Sequence, residues 1–216
     1  VAIVSHDLRN PLMAISLGVD AVQRDNVTPR QQQLLARMGT AVDRASRLTN
    51  DLLDFTQARV GGGIRVHPVP VDVHACTSGA LAELRLALPN RQLVHIEEGP
   101  AQQLADADRI AQFIGNLVGN AHAYGDPALP ITVSSIGKPD GFEIHVHNHG
   151  APIPGHLLKK MFEPMTRGEQ ASGGIGLGLF IVSQIVKAHG GYMEVHSTRS
   201  DGTSFRGHFA AGRIPG

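Results

Sequence analysis

The first sixty residues carry apolar positions that repeat at alternating spacings of four and three. One series comprises Leu8, Leu12, Ile15, Val19 and Val22, and a second comprises Leu34, Met38, Ala41, Ala45, Leu48, Leu52 and Phe55. This spacing is typical of the seam of a coiled coil or a helical bundle. Thr28 and Pro29 suit the N-cap and the first position of a second helix. The pattern therefore predicts an antiparallel helical hairpin over residues 1–60.

A lone hairpin cannot cover both sides of its apolar seam. Pairing with a second copy would give a four-helix bundle, and we therefore expect a homodimer. The alternative is that the hairpin packs against the downstream part of its own chain. Gly61, Gly62 and Gly63 follow the second helix, and three consecutive glycines predict a flexible joint and a domain boundary.

From residue 64 onward, apolar residues alternate in some segments and show helical spacing in others. Candidate strands occupy residues 64–69, 93–97, 131–136, 142–148, 192–197 and 204–209, and candidate helices occupy 73–88, 107–124 and 176–189. Tight-turn residues, such as Pro-Asp-Gly at 139–141, join neighbouring strands. Residues 64–216 are therefore predicted to form a two-layer α/β sandwich, which makes the whole chain α+β.

Composition narrows the class of protein. The chain has 19 basic and 19 acidic residues, and only 4% of its residues are aromatic, so we expect neither a nucleic-acid partner nor direct membrane contact. Cys76 is the single cysteine, which fits a reducing, cytoplasmic compartment. No apolar stretch approaches the ~18 residues that span a bilayer. The first motif begins at Ser5, as if a helix started upstream, and we expect a sensor domain to precede it.

Residues 5–12, Ser-His-Asp-Leu-Arg-Asn-Pro-Leu, carry candidate chemistry on the first helix. At about 100° per residue, His6 is predicted to point away from the seam and into solvent. A neutral imidazole is a nucleophile toward phosphorus, and a carboxylate such as that of Asp7 can hold one ring N–H while the other nitrogen attacks. Adjacent side chains do not naturally face each other on a helix, so this contact needs a particular rotamer. Asn10 shares a helical face with His6.

Three later segments have residue types that suit a nucleotide. Asn116 and Asn120 lie four apart on one helical face, and amide oxygens suit Mg²⁺, although they are equally suited to an amphipathic helix surface. The glycine-rich residues 173–179 lead into a helix whose free N–H groups can bind an anion. Asn148 shares a strand face with three apolar residues, so it is predicted to point to the covered side of the sheet.

Five motifs in this order resemble those of sensor histidine kinases of two-component systems. They are the H box at 5–12, the N box at 116–124, the first glycine box at 148–154, the F box at 161–167 and the second glycine box at 173–179, with a final glycine box at 201–205. Asn148, Pro152, Ala123 and Ser200 depart from the usual residues, and the first two resemble bacteriophytochrome-type kinases. The resemblance implies a Bergerat-type ATP-binding fold, shared with Hsp90, gyrase B and MutL.

The same resemblance implies roles for individual residues. His6 would accept the phosphoryl group, Asp7 would act as base and Asn10 would orient water. Mg²⁺ would be held by Asn120, with Asn116 in support. Asn148 would accept a hydrogen bond from the adenine amino group, and Arg167 would reach the γ-phosphate from a mobile lid. The implied ATP-binding set is Asn116, Asn120, Tyr124, Asn148, Gly150, Ile153, Phe162, Arg167, Gly174, Gly176, Gly178, Leu179 and Thr203.

The implied activity is ATP-dependent autophosphorylation of His6, followed by transfer to an aspartate on a response-regulator receiver domain. Two alternatives stay open: an enzyme that mainly dephosphorylates the regulator, and a non-catalytic dimer whose shape is switched by ATP. His145, His147 and His149 alternate along one strand, but they are predicted to lie on the solvent face, where we expect no metal site.

Overall fold

The computed structural model describes residues 2–24, 27–166 and 175–211, with side chains from residue 10 onward. Two helices form the predicted hairpin: α1, Ala2–Gln23, and α2, Pro29–Val60. The Thr28 hydroxyl accepts a hydrogen bond from the Gln31 N–H at 3.3 Å, and the Gln31 side chain accepts one from the Thr28 N–H at 2.8 Å. This reciprocal cap fixes the start of α2 and confirms the predicted N-cap.

Most of the hairpin's apolar seam stays open within one chain. Val19 and Val42 are buried between the two helices. Other apolar seam residues are roughly half exposed: Ile15, Val22, Leu34, Met38 and Leu52. Two helices therefore cover only part of the stripe that the heptad spacing marks out.

The second helix ends at the glycine run. Val60 is its last residue, and the Gly61 N–H donates to the Gln57 carbonyl at 2.7 Å. Gly62 and Gly63 then adopt φ values of 77° and 133°, in a region that favours glycine. The chain leaves the helix where the sequence predicts. Within the described residues, no helix is both long and apolar enough to cross a membrane.

Beyond the glycines, a mixed five-stranded sheet carries helices on one face. Its strands are β2 Leu93–Glu98, β4 Ile131–Lys138, β5 Gly141–Asn148, β6 Tyr192–Thr198 and β7 Gly202–Ala210. Their order in the sheet is β2-β4-β5-β7-β6; β2 and β4 are parallel, and the other neighbours are antiparallel. The helices are α3 Val73–Ala87, α4 Ala107–Tyr124, the short α5 Gly155–Leu158 and α6 Gly178–Ala188. This is the predicted two-layer sandwich.

One predicted strand is wrong and another was missed. Residues 64–68 form no regular structure, although Ile64 is buried in the core. The strand instead covers Val69–Asp72 (β1) and pairs antiparallel with Gln102–Ala105 (β3), which the sequence analysis did not predict. These strands have four residues each, and the pairing joins segments about thirty residues apart, so no local alternation marks them.

Helix α4 forms the centre of the core. Phe113, Ile114 and Leu117 are fully buried against the sheet, and the Phe113 ring meets Phe209 edge-on with the centroids 5.3 Å apart. The facing residues of β5 are also buried, which confirms the predicted inward face: Phe142, Ile144, Val146 and Asn148.

The end of α2 packs onto this domain through a polar cluster. The buried Asp54 carboxylate accepts hydrogen bonds from Arg109 Nη1 at 3.0 and 2.9 Å and from Gln112 Nε2 at 2.7 Å. Next to this cluster, Phe55 meets Phe180 of α6 edge-on at 5.7 Å. Burial, reinforced by the nearby Asp54 charge, raises the pKa of Asp51 from 3.8 to about 6. The hairpin and the sandwich therefore share an interface at their junction.

The opposite face of the sheet carries the alternating histidines. His145 is partly covered and hydrogen-bonded to Ser204, and burial is the main cause that lowers its pKa, so this face is less open than predicted. Beside it, the buried Glu143 pairs with Lys138 and with His208. Across the described part of the chain, no three His, Cys, Asp or Glu side chains are placed to hold a metal ion.

Candidate functional site

One face of α4 presents the predicted metal-binding amides. Asn116, Asn120 and Tyr124 follow each other at four-residue intervals, so they share a helical face. Both asparagines are half-buried, while Tyr124 is exposed at the end of the helix. The buried apolar residues around Leu117 pack into the core, so the two amides lie on a helical face outside it. Amide oxygens in this position suit a Mg²⁺ ion that also binds phosphates and water.

The start of α6 lies beside this face. Asn116 Oδ1 is 3.1 Å from the position that a Cβ on Gly178 would occupy, so any larger residue here would press on the asparagine side chain. Leu177 occupies the N-cap position of α6, and no described side chain caps the first turn of this helix. The first N–H groups of a helix have no partner within the helix itself. The structure thus brings the N box and the second glycine box together at a helix start that favours anions.

The turn before α6 is held by its own backbone. Gly176 has a φ of 77°, and its carbonyl accepts a hydrogen bond from the Met165 N–H at 2.9 Å. A Cβ at Gly176 would lie 2.8 Å from the Thr166 carbonyl oxygen, so glycine is required here for space as well as conformation. This turn aims the start of α6 toward the asparagine face of α4.

Asn148 lies at the end of β5 and is only 5% exposed. Its Nδ2 donates to the His149 carbonyl at 3.2 Å, which leaves the side-chain oxygen available as an acceptor. In the sheet register, Asn148 lies opposite the buried Thr203. The burial of Asn148 agrees with the predicted covered face of the sheet, and its role toward an adenine amino group stays a prediction.

A hydroxyl pair connects Thr203 to the first glycine box. The Thr203 and Ser197 hydroxyl oxygens are 2.7 Å apart, and Ser197 Oγ accepts a hydrogen bond from the Ile153 N–H at 2.9 Å. Ser197 was not predicted as a site residue, because only the pairing of β6 with β7 brings it to Thr203. The segment after β5 is therefore anchored to the end of β6.

Glycine also allows the N box to meet the first glycine box. Gly125 and Gly150 form an isolated β-bridge, and a Cβ at Gly150 would lie 2.8 Å from the Tyr124 carbonyl oxygen. Apolar site residues line the adjacent surface of the core, where Ile153, Phe162 and Leu179 are partly buried. The predicted site residues therefore lie at the ends of α4 and β5 and at the start of α6.

Several predicted residues lie outside what the structure describes. Arg167 and Gly174 fall in the gap at 167–174, and the side chains of His6 and Asp7 precede residue 10. The backbone of His6 and Asp7 is helical, and Asn10 is exposed on the same helix.

Sequence reasoning also missed Arg91, which lies in the tight turn between α3 and β2. Its side chain is 6% exposed, and its Nη1 donates to the carbonyl of Asp126, just beyond α4. No local pattern around residue 91 distinguishes it from a solvated arginine, since its neighbours come from distant parts of the chain.

Both parts of the chain match known protein families. Residues 105–213 match the model of the family described as histidine kinase-, DNA gyrase B-, and HSP90-like ATPase, and residues 1–61 match the His Kinase A (phospho-acceptor) domain. Among curated proteins, a bacteriophytochrome of Pseudomonas aeruginosa is 29% identical over 90% of this chain and 27% of its own length. The probable sensor histidine kinase TcrY of Mycobacterium tuberculosis is 32% identical over 92% of this chain and 42% of its own length.

A solved structure is similar to nearly the whole chain. The full-length ShkA structure in complex with AMPPNP superposes with a TM-score of 0.71 and 26% identity, covering 99% of this chain and 46% of ShkA. The chain thus spans less than half the length of each of these three proteins. Because both family models match it in the expected order, the chain belongs to the histidine kinase-, DNA gyrase B- and HSP90-like ATPase family, as a sensor histidine kinase.

Proposed function

We propose that the chain binds Mg²⁺-ATP and transfers the γ-phosphoryl group to His6. The observation that carries this proposal is the meeting of Asn116 with the start of α6. An amide oxygen and the first turn of a helix, which has no side-chain cap from the described residues, lie together there at the edge of a closed core. Few ligands other than a metal-bound phosphate use both kinds of group. The AMPPNP in the ShkA complex supports a nucleotide as the ligand.

Each part of the pocket has a role in this proposal. Asn148 accepts a hydrogen bond from the base, and Asn120 with Asn116 holds Mg²⁺, which neutralises phosphate charge when bound. The N–H groups at Gly178 and Leu179 bind phosphate oxygens. Ile153, Phe162 and Tyr124 line the walls, and Arg167 approaches the transferring group from residues 167–174. The protein contributes positioning and electrostatics, as is usual for phosphoryl transfer.

The acceptor lies on the other domain. On α1, His6 attacks through one ring nitrogen while Asp7 holds the proton on the other, which keeps the imidazole neutral and oriented. Asn10, on the same face, orients water when the reaction runs toward dephosphorylation. The glycine joint at residues 61–63 lets the ATP-binding domain, residues 64–216, reach the hairpin, residues 1–60.

Two partners complete the proposal. The half-exposed seam residues of the hairpin favour a second copy of the chain, which would close a four-helix bundle. The phosphoryl group then passes from His6 to an aspartate on a response-regulator receiver domain. We place this chemistry in the cytoplasm, downstream of a sensor domain, as in the sensor kinases that the chain resembles.

Incubation with γ-labelled ATP and Mg²⁺ tests the proposal. The parent chain should acquire label that is lost in acid and kept in base, as expected for a phosphoimidazole, and His6→Gln should acquire none. His196→Gln, which changes an exposed histidine on β6, is the matched control and should keep at least about half of the labelling. Labelling of the His6→Gln chain at the parent level would contradict the proposal.

A further inference from the structure

Arg91 is a buried cation with unused hydrogen-bonding capacity. Within the described chain, its Nε and Nη2 have no hydrogen-bond partner, although both atoms are shielded from solvent. Only Nη1 is bound, to the Asp126 carbonyl, while the backbone N–H of the same residue donates to the Leu88 carbonyl at 3.0 Å. A buried guanidinium with two unpaired nitrogens is costly, so its placement needs a reason.

The unpaired end of Arg91 lies at the base-binding end of the pocket. Arg91 Nη2 and Asn148 Nδ2 lie 3.0 and 2.9 Å from the point that a Cβ on Gly125 would occupy. The two groups therefore face the same space beside Gly125, at most about 6 Å apart, and this space is open because glycine has no side chain. The guanidinium is enclosed, so it cannot touch a nucleotide itself; it can act only through Asn148.

Backbone groups connect the same residues. Arg91 binds the carbonyl of Asp126, whose own N–H donates to the His149 carbonyl at 2.7 Å. That carbonyl also accepts from Asn148 Nδ2. The carboxamide is thus bracketed by an acceptor, the His149 carbonyl, and by a group that can only donate, the Arg91 guanidinium.

These two neighbours favour opposite orientations of the carboxamide. The His149 carbonyl accepts a hydrogen bond from the NH₂ group of Asn148, which leaves the oxygen for the ligand. Arg91 Nη2 can only donate, so it favours the orientation in which the oxygen faces it and the NH₂ group is left for the ligand. The two ends have nearly the same shape, so a half-turn of the group exchanges them without repacking. The first orientation accepts from the 6-amino group of adenine, and the second donates to the 6-oxygen of guanine.

Building on the proposed nucleotide site, we propose that Arg91 is a positioning residue that lets Asn148 accept guanine as well as adenine nucleotides. A carboxylate at position 148, the usual residue in the sequences that the chain resembles, could only accept and would exclude the guanine oxygen. The combination of an asparagine with a buried, unpaired arginine therefore relaxes base selectivity.

Displacement of a fluorescent trinitrophenyl-ATP by unlabelled ATP and GTP, each with Mg²⁺, tests this inference on the full chain. For the parent, the dissociation constant of GTP should lie within about tenfold of that of ATP, the difference of roughly one hydrogen bond. Arg91→Met leaves only the His149 carbonyl to orient the amide. It should therefore raise the dissociation constant of GTP, relative to that of ATP, about tenfold. Arg85→Met removes an exposed arginine of the same region and should leave the ratio unchanged.

Asn148→Asp provides a second variant that does not depend on the loss of the buried arginine. It should weaken the binding of GTP more than about tenfold. The affinity for ATP should change by less than about threefold, because a carboxylate still accepts a hydrogen bond from the adenine amino group. If the parent binds ATP and GTP fails to compete at a hundredfold higher concentration, the inference is overturned and the proposed function stands. The inference would also be overturned if Asn148→Asp and the parent had the same ratio of GTP to ATP dissociation constants. Failure of both nucleotides to bind would overturn the proposed function as well.

Discussion

The ATP-binding domain closes its core within a single chain, whereas the helical hairpin does not. Fully buried residues run from α4 through the sheet to α6 and include Phe113, Ile144 and Ile181. In the hairpin, Val19 and Val42 are buried, while seam residues such as Leu34 and Met38 are about half exposed. The apolar residues are thus fully buried within one chain in the ATP-binding domain, whereas many of those in the hairpin stay partly exposed.

This difference separates the tasks of the two regions. The proposed nucleotide pocket needs fixed geometry, and the closed core behind Asn116 and Asn148 supplies it within one chain. The predicted phosphoacceptor helix must stay accessible to the ATP-binding domain, and in the proposed dimer a second copy completes the packing of the open seam. Core substitutions in the sandwich should therefore change the stability of the single chain, and seam substitutions in the hairpin should change the affinity between two chains.

The largest expected effect is on the closed core. Phe113→Ala removes a fully buried ring that contacts Phe209, and should lower the free energy of unfolding by about 3–5 kcal/mol, through lost burial and the cavity left behind. Urea denaturation measures the change. Leu86→Ala, at a highly exposed apolar position of the same domain, should change it by less than about 0.5 kcal/mol. Equal losses in the two variants would break the comparison.

The next effect concerns association. Met38→Asp places a charge on the open seam and should raise the dimer dissociation constant at least about a hundredfold, because two carboxylates would be buried in each bundle. Sedimentation equilibrium measures the constant, and circular dichroism should show the helices retained. Gln33→Asp, an exposed change outside the seam series, should have little effect. A parent chain that stays monomeric at tens of micromolar would refute the dimer.

How far the sequence predicts the fold depends on how local the determinant is. The Thr28–Pro29 helix start and the end of the second helix at the glycine run follow from capping and backbone preferences, and both are confirmed. The strand predicted at 64–69 is wrong because an apolar residue such as Ile64 can be buried without belonging to a strand. What makes Val69–Asp72 a strand is its partner, Gln102–Ala105, which no local pattern reveals.

A smaller effect is expected at the interface between the two regions. Burial and the nearby Asp54 raise the pKa of Asp51 above its unfolded value to about 6, so the folded state binds the proton more tightly. The contribution of this group to stability is therefore present below about pH 4 and lost as the pH rises through 6. The free energy of unfolding of Asp51→Asn, relative to that of the parent, should therefore rise by about 2 kcal/mol between pH 4 and pH 7.5.

Urea midpoints across this pH range measure the gain. Asp43→Asn, on the exposed side of α2, controls for the loss of a charge. A difference between Asp51→Asn and the parent that does not change with pH would show that the carboxyl is ionised like an ordinary aspartate, and that the interface does not bury it.

The site shows a similar division between local and distant determinants. Helical spacing places Asn116 and Asn120 on one face, and strand alternation places Asn148 on the covered face, so both could be predicted. Ser197 and Arg91 could not, since they reach the site only through strand pairing and through a turn between α3 and β2. Chemistry carried by a short segment can be recognised from sequence, whereas support from distant segments requires the fold.

Calorimetric titration with Mg²⁺-ATP tests most directly the claim that residues 64–216 form a complete nucleotide site. The parent chain should bind one ATP per chain, and binding should weaken at least about tenfold when Mg²⁺ is chelated or when Asn120 is changed to Ala. Asn90→Ala, in the turn after α3, should bind like the parent. Absence of binding to a folded parent chain, or equal affinity with and without Mg²⁺ and Asn120, would contradict the account.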